Sequence, residues 1–389
     1  MLNTDRVSGS PLLGEPDFVA IERGIVEFRA ARPVAITAGR TTLLVLPVDG
    51  LDDRRLAAFR AAGGNAQPVL VLTARRAQTL GIEAAGPVSL TLSATDDAAS
   101  IRAAATDVRI DRRFSWAASV PAAAAALPLA KLAHRLPAAL CVEIDAGMPA
   151  AFNPPVVHIG AGAIAQFRER AIRSLAVASE ASVPLSGDIQ ARFVVFRGMM
   201  GGEQAAIIVN EPDFSKPITV RLHSACLTGD VFGSRRCDCG DQLRLAMKQL
   251  AAAGGGIVLY LDQEGRGVGL ANKMRTYRLQ DGGLDTVDAN IVLGFDDDER
   301  DYGIAGRMLE MLGCRQVVLM TNNPAKVDGL SDAGIEITGR IPLLTPINGD
   351  NRRYLAAKAM RAGHSLDHLF DALAASEPTI VPDETEAAS

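Results

Sequence analysis

Three of the chain's five cysteines fall in one stretch, Arg221 to Gln242 (RLHSACLTGDVFGSRRCDCGDQ), and no other segment restricts the fold as much. Cys237 and Cys239 sit two positions apart in a turn rich in Gly and Asp, and the intervening loop can bring Cys226 back to them. Three thiolates are soft ligands suited to Zn²⁺. A structural zinc site is usually closed by four protein ligands, whereas a catalytic one keeps three and leaves a position for water. No fourth cysteine lies nearby, so the count leans towards chemistry. His223 could close the tetrahedron as a structural site, and two buried small residues with no metal is a third reading.

The flanks specify how such a loop would be held. The β-branched run Ile218 to Leu222 reads as a strand feeding it. An amphipathic helix from about Asp241 to Ala253, with Leu243, Met247 and Leu250 on one face, reads as leaving it. Here the sequence resembles the zinc loop of the GTP cyclohydrolase II family: Arg-x-His-Ser, then Cys-Leu-Thr-Gly-Asp, then Arg-Cys-Asp-Cys-Gly. Further motifs follow in the family's order. Gly254 to Gly256 opens a buried strand that ends in Gln263-Glu264-Gly265-Arg266. Asp285-Thr286-Val287-Asp288-Ala289-Asn290 comes next, then FDDDERDY at 295–302, and then Thr321-Asn322-Asn323-Pro324-Ala325-Lys326 at a strand-to-helix turn. The Gly-rich loop is neither a Walker A loop nor a dinucleotide fingerprint. A zinc deaminase is excluded because His-x-Glu followed by Pro-Cys-x-x-Cys is missing.

The resemblance spans roughly Arg192 to His364. It implies one Zn²⁺ per chain on Cys226, Cys237 and Cys239, with GTP held by Arg221, Leu222, His223, Ser224, Gln242, Glu264, Gly265, Arg266, Thr286, Thr321 and Lys326. It implies Tyr277 as an active-site tyrosine, Asp298 as acid/base and Arg300 as the group that attacks phosphate. A guanidinium with pKa above about 12 attacks only if a neighbour takes its proton, so Arg300 as an electrostatic clamp stays open beside that role. The implied reaction releases formate and pyrophosphate from GTP, with Mg²⁺ on the triphosphate, as the first step of riboflavin synthesis. Homodimers are common among such proteins. Where the family commonly has Glu before the first zinc cysteine this chain has Ala225, which leaves open a ring-opening hydrolase of another nucleotide. A zinc-stabilised nucleotide sensor without catalysis is the remaining alternative. Lys273, Arg275 and Arg278, on the helix that carries Tyr277, read as a solvated charged face.

With 389 residues the chain has room for two domains. The expected fold is α/β (mixed α+β), a cyclohydrolase II-like domain at 190–370 preceded by a separate α/β domain at 18–180. A flexible leader (1–17), a linker of Ser, Pro and Gly near 180–188 and a disordered acidic tail (376–389) complete the plan, and the linker implies that a segment from about 185 to 370 is separable. Ala20 to Ile36 weakly resembles the opening of 3,4-dihydroxy-2-butanone-4-phosphate synthase. That family has an acidic metal loop where this chain has Thr37 to Thr42, so a degenerate domain without synthase activity is expected. His134 and His158 read as ordinary core or surface histidines. A net charge of −5 gives no general attraction to nucleic acid or anionic membranes. An odd cysteine count with three in one loop argues against a disulfide framework and for a reducing compartment, the cytoplasm. The apolar stretch 120–130 is too short to span a bilayer.

Overall fold

The computed structural model describes residues 12–343. The expected tail, His364 and the end of the 190–370 domain lie outside the described residues. Two seven-stranded sheets organise the chain. The first contains β1 (Val34–Ala38), β2 (Thr41–Pro47), β3 (Val69–Leu72), β4 (Val88–Thr91), β5 (Trp116–Ala118), β6 (Ala138–Glu143) and β7 (His158–Gly160), in the order β5-β4-β3-β6-β2-β1-β7. Its pairs are antiparallel except β1 with β7. The helix Pro16–Arg29 starts on a proline, which suits a first helical turn because the missing N–H has no partner there anyway. It therefore takes the last two residues of the expected leader. Ile21, Ile25 and Phe28 on its inner face pack against Val34, Ile36 and Phe167.

The second sheet contains β8 (Ala176–Leu185), β9 (Ile189–Arg197), β10 (Gln204–Val209), β11 (Ile218–Ser224), β12 (Gly256–Leu261), β13 (Gln316–Met320) and β14 (Glu336–Ile341), in the order β14-β13-β11-β12-β10-β9-β8. The stretch expected as a linker is thus an edge strand and the tight turn into β9. Ser182 pairs with Arg192 and Leu185 with Ile189. Cutting near residue 185 would remove the strand that covers β9.

β12, β11, β13 and β14 run parallel. After β11 the chain enters the helix Cys239–Ala252, whose Ala246 and Leu250 pack on the sheet face with Val209, Val258 and Met320. The helices Gly303–Met311 and Pro324–Asp332, which flank β13, cover the other face with Val220, Leu222 and Leu259. Chain connections leaving neighbouring strands to opposite faces open a crevice at the strands' carboxyl ends. That crevice lies where β11, β12 and β13 end.

The two sheets do not form independent bodies. Leu136 of the first unit is buried with Val268, Leu293 and Phe295 of the second. Arg76, only 1% exposed, donates to the carbonyls of Ala103, Ala104 and Asp107 in the first unit and of Val292 in the second. Burial lowers its pKa to about 10, so it stays charged at neutral pH. Its loss would strand the buried Ala104 and Val292 carbonyls, each costing about 1–3 kcal/mol without a donor. Asp49 accepts from Leu136 N and from Arg275, and the His134 carbonyl accepts from Asn272. His134 and His158 are both exposed. No helix among the described residues is long and apolar enough to cross a membrane.

Candidate active site

Strand alternation assigns the residues at the end of β11. Val220 and Leu222 point into the core, so Arg221 and His223 face the helix that follows the cysteines. Arg221 donates to Gln242 Oε1 (2.6 Å) on that helix and to the Met320 carbonyl (3.1 Å) at the end of β13. Burial lowers its pKa to about 10. Leu222, expected against substrate, is 1% exposed and belongs to the core. Only its carbonyl turns towards the crevice, where it accepts from Lys326 Nζ at 2.7 Å.

The sulfur atoms of Cys226, Cys237 and Cys239 lie within 4.8 Å of one another, with Cys226 and Cys237 3.7 Å apart. Tetrahedral zinc with Zn–S bonds of about 2.3 Å places its sulfurs ~3.8 Å apart, so the donor set fits. Gly229 closes the cradle: a Cβ there would come within 3.0 Å of Cys237 Sγ and 3.1 Å of Cys226 Sγ. His223 does not join the group, because its Nε2 faces Asp230 at 3.1 Å. Asp230 also accepts from Tyr260 OH and Cys226 N, both at 2.9 Å, and so fixes the entry of the cysteine loop. The readings left open in the sequence thus narrow to three thiols with no histidine beside them. Hydrogen bonds from Cys237 and Cys239, and then from Lys273, lower the pKa of the Cys226 thiol against the opposing effect of burial.

Lys273 was expected on a solvated face but is buried. Its Nζ donates to Cys226 Sγ (3.0 Å), Thr228 Oγ1 (3.0 Å) and Glu264 Oε1 (2.8 Å). Burial alone would lower its pKa, but the hydrogen bonds to Glu264 and Cys226 raise it, so it carries a proton. Glu264 in turn accepts from Leu227 N at 2.6 Å, which ties the Gln-Glu-Gly-Arg loop to the cysteine loop. Lys273, Thr276, Tyr277 and Gln280 all line the same cleft. Their spacing of three, four and seven residues is one helix face, a signal the sequence did contain. Tyr277 stacks under Arg236 at 4.4 Å.

Of the residues singled out in the sequence, Arg221, His223, Ser224, Cys226, Cys237, Cys239, Gln242, Glu264, Gly265, Arg266, Tyr277, Thr286, Arg300, Thr321 and Lys326 line this one cleft. Asp298 does not line it, but it holds Arg300, accepting from Nε at 2.7 Å and from Nη2 with its other oxygen. Burial would raise the Asp298 pKa; the Arg300 pair outweighs it and holds the carboxyl below its usual range. Gly267 lets the Gln-Glu-Gly-Arg loop touch the acidic loop at 296–301, since a Cβ there would come within 2.7 Å of the Glu299 carbonyl. Gln263, Asn290, Asn322 and Asn323, which lie inside the quoted motifs but were given no individual role, also line the cleft. Their motifs were legible in the sequence, and the folded chain adds that these side chains face the cleft. Arg221 Nε, His223 Nδ1, Ser224 Oγ and Gln263 Oε1 are buried there without a hydrogen-bond partner. Such atoms are costly unless a ligand satisfies them.

Residues 176–342 match the family model for GTP cyclohydrolase II. The GTP cyclohydrolase-2 of Azospirillum brasilense is 41% identical over 360 residues, 89% of this chain and 93% of that protein, so the likeness extends through the first unit. The GTP cyclohydrolase-2 of Azotobacter vinelandii is 54% identical over 169 residues, 43% of this chain but 81% of that protein. A solved structure of RibBX, a two-domain 3,4-dihydroxy-2-butanone 4-phosphate synthase from A. baumannii, aligns with 84% of this chain and 99% of that one. Its TM-score of 0.33 at 12% identity is too low to support an argument. A relative 41% identical across nine-tenths of the length, joined to a cleft that gathers the family's motifs, identifies the chain as a hydrolase of the GTP cyclohydrolase II family.

Proposed function

We propose that the protein hydrolyses GTP to formate, pyrophosphate and 2,5-diamino-6-(5-phosphoribosylamino)pyrimidin-4-one, the opening step of riboflavin synthesis. The observation that carries this reading is the company the three thiols keep. They share one cleft with Arg221, Arg266, Arg300 and Lys326, and with buried polar atoms that lack partners. That combination suits a purine bearing a triphosphate. Zn²⁺ on Cys226, Cys237 and Cys239 would supply Lewis-acid activation of water at neutral pH for opening the imidazole ring. The chain's own residues bind and orient. Ser224 Oγ, His223 Nδ1 and Gln263 Oε1 offer hydrogen bonds to the base, and the arginines and Lys326 offset phosphate charge, with Mg²⁺ arriving on the triphosphate. Arg300, paired through two of its nitrogens to an ionised Asp298, keeps its proton. It acts as a cation on the transferring phosphoryl group, which requires no deprotonated guanidinium. We take the protein to be a cytoplasmic homodimer.

Incubation with GTP, Zn²⁺ and Mg²⁺ should release formate and pyrophosphate together. GTP binding without formate would mark a sensor instead, and preferential ring opening of another purine nucleotide would trace to Ala225. The first unit should form no dihydroxybutanone phosphate from ribulose 5-phosphate. Its β1–β2 turn offers Thr37 and Thr42, bonded to each other at 2.9 Å, where Mg²⁺ chemistry needs carboxylates. Appearance of that product from purified protein, in a discontinuous assay with Mg²⁺, would overturn this assignment.

A further inference from the structure

The run Asp296 to Asp301 packs five carboxylates around one arginine, and like charges so crowded repel unless each finds a cation. The first unit supplies most of these cations. Lys131 Nζ lies 2.6 Å from Glu299 Oε1 and 3.1 Å from Asp296 Oδ2. Arg75 meets Asp296 at 3.2 Å and Arg168 meets Asp301 at 3.6 Å. The Arg75 and Arg168 pairs are largely open to solvent and contribute little by themselves. The Lys131–Glu299 pair is different, since its side chains are 20% and 11% exposed.

Glu299 is central to the catalytic loop. Its Oε1 also accepts from Asp296 N at 2.9 Å, closing the turn, and its own N–H donates to the Arg266 carbonyl at 3.0 Å. Arg266 returns a bond to the Asp297 carbonyl at 3.2 Å. Glu299 stands between Asp298 and Arg300 in the chain, so whatever fixes it fixes where that pair points. Without Lys131, Glu299 would be a nearly buried carboxylate with no cation, free to compete with Asp298 for Arg300.

We propose that Lys131, a residue of the first unit outside the family-matched segment, is a positioning residue for the Asp298–Arg300 pair, acting through Glu299. This rests on the reading that Arg300 acts at the phosphates. The first unit then has a role in the reaction without any chemistry of its own.

The test uses the full chain. Lys131→Met keeps the aliphatic stem and removes the charge. It should lower kcat for pyrophosphate release about 10- to 100-fold, the scale of a small displacement of catalytic groups. KM for GTP, metal content and the thermal midpoint should stay near those of the parent. Lys131→Arg should restore most of the rate. Glu299→Gln should give the same loss, and combining it with Lys131→Met should add little, because both remove one interaction. The inference is overturned if folded Lys131→Met turns over within twofold of the parent, if its loss only follows the folded fraction, or if the two losses multiply. Should Lys131→Met not fold, Glu299→Gln with the same readouts decides. Arg300→Ala, measured alongside, separates the two ideas: if it loses pyrophosphate release while folded Lys131→Met keeps it, the control by Lys131 fails and the Arg300 reading stands, whereas if Arg300→Ala keeps release the Arg300 reading fails and positioning of that pair by Lys131 falls with it.

Discussion

Cys237→Ser should abolish formate release while leaving a slow conversion of GTP to GMP and pyrophosphate. The serine oxygen occupies nearly the same volume against Gly229, so the cysteine loop keeps its shape, but a hydroxyl is a much poorer zinc ligand than a thiolate. In the proposed reaction, ring opening at C8 would depend on the metal, and release of pyrophosphate on Arg300, Lys326 and Mg²⁺ at the opposite end of the substrate. Both products should be followed in the same incubation, together with zinc content and the thermal midpoint. A folded Cys237→Ser protein that loses pyrophosphate release as completely as formate would show that the two chemistries cannot be separated, and the division of labour proposed for this cleft would fall.

Arg300→Ala should lower pyrophosphate release by about 10²- to 10³-fold, the usual cost of removing one preorganised charge from a transition state. Formate falls with it if attack at phosphate comes first. Arg300→Lys retains part of the rate if the residue works as a cation and none if it forms a covalent bond through its guanidinium. The variant also has a signature in stability. The pair depresses the Asp298 pKa, so its stabilisation is present above the unfolded carboxylate range and is lost as pH falls through the lower folded value. The gap in stability between parent and Arg300→Ala should therefore be widest near neutral pH and narrow in acid. Denaturant melts at several pH values measure it. A gap that does not change with pH would mean that the ion pair contributes nothing to the fold.

The motifs with chemistry were legible because their residue types are rare and their spacing short. Three cysteines in one loop, Gln-Glu-Gly-Arg after a strand, and Asp298 with Arg300 all appear in the sequence and all meet at the cleft or directly behind it. Strands β11 and β12 were legible for a similar reason, since an apolar run preceded by Pro217 or by Gly254 to Gly256 has few other uses. Local composition misled where burial decides the outcome. The Ser- and Pro-containing stretch at 180–188 is paired as β8 because β9 needs a partner on that side. Lys273 looks like any helix-surface lysine until Glu264, from the loop after β12, arrives beside it.

The sequence by itself determined the clustered cysteines, the order of strand and loop that presents them, and the family, because each of these depends on residues close together in the chain. Only the tertiary structure decided that Asp230 takes His223 away from the cysteines, that Leu222 serves the core, and that Lys131 and Arg76 reach from the first sheet to grip the second. Those contacts join residues 160 to 220 positions apart, apart from the short Asp230–His223 link, and no local period records them. Burial and charge pairing across the crevice are properties of the packed molecule, fixed when β11, β12 and β13 end side by side and the first unit closes behind them.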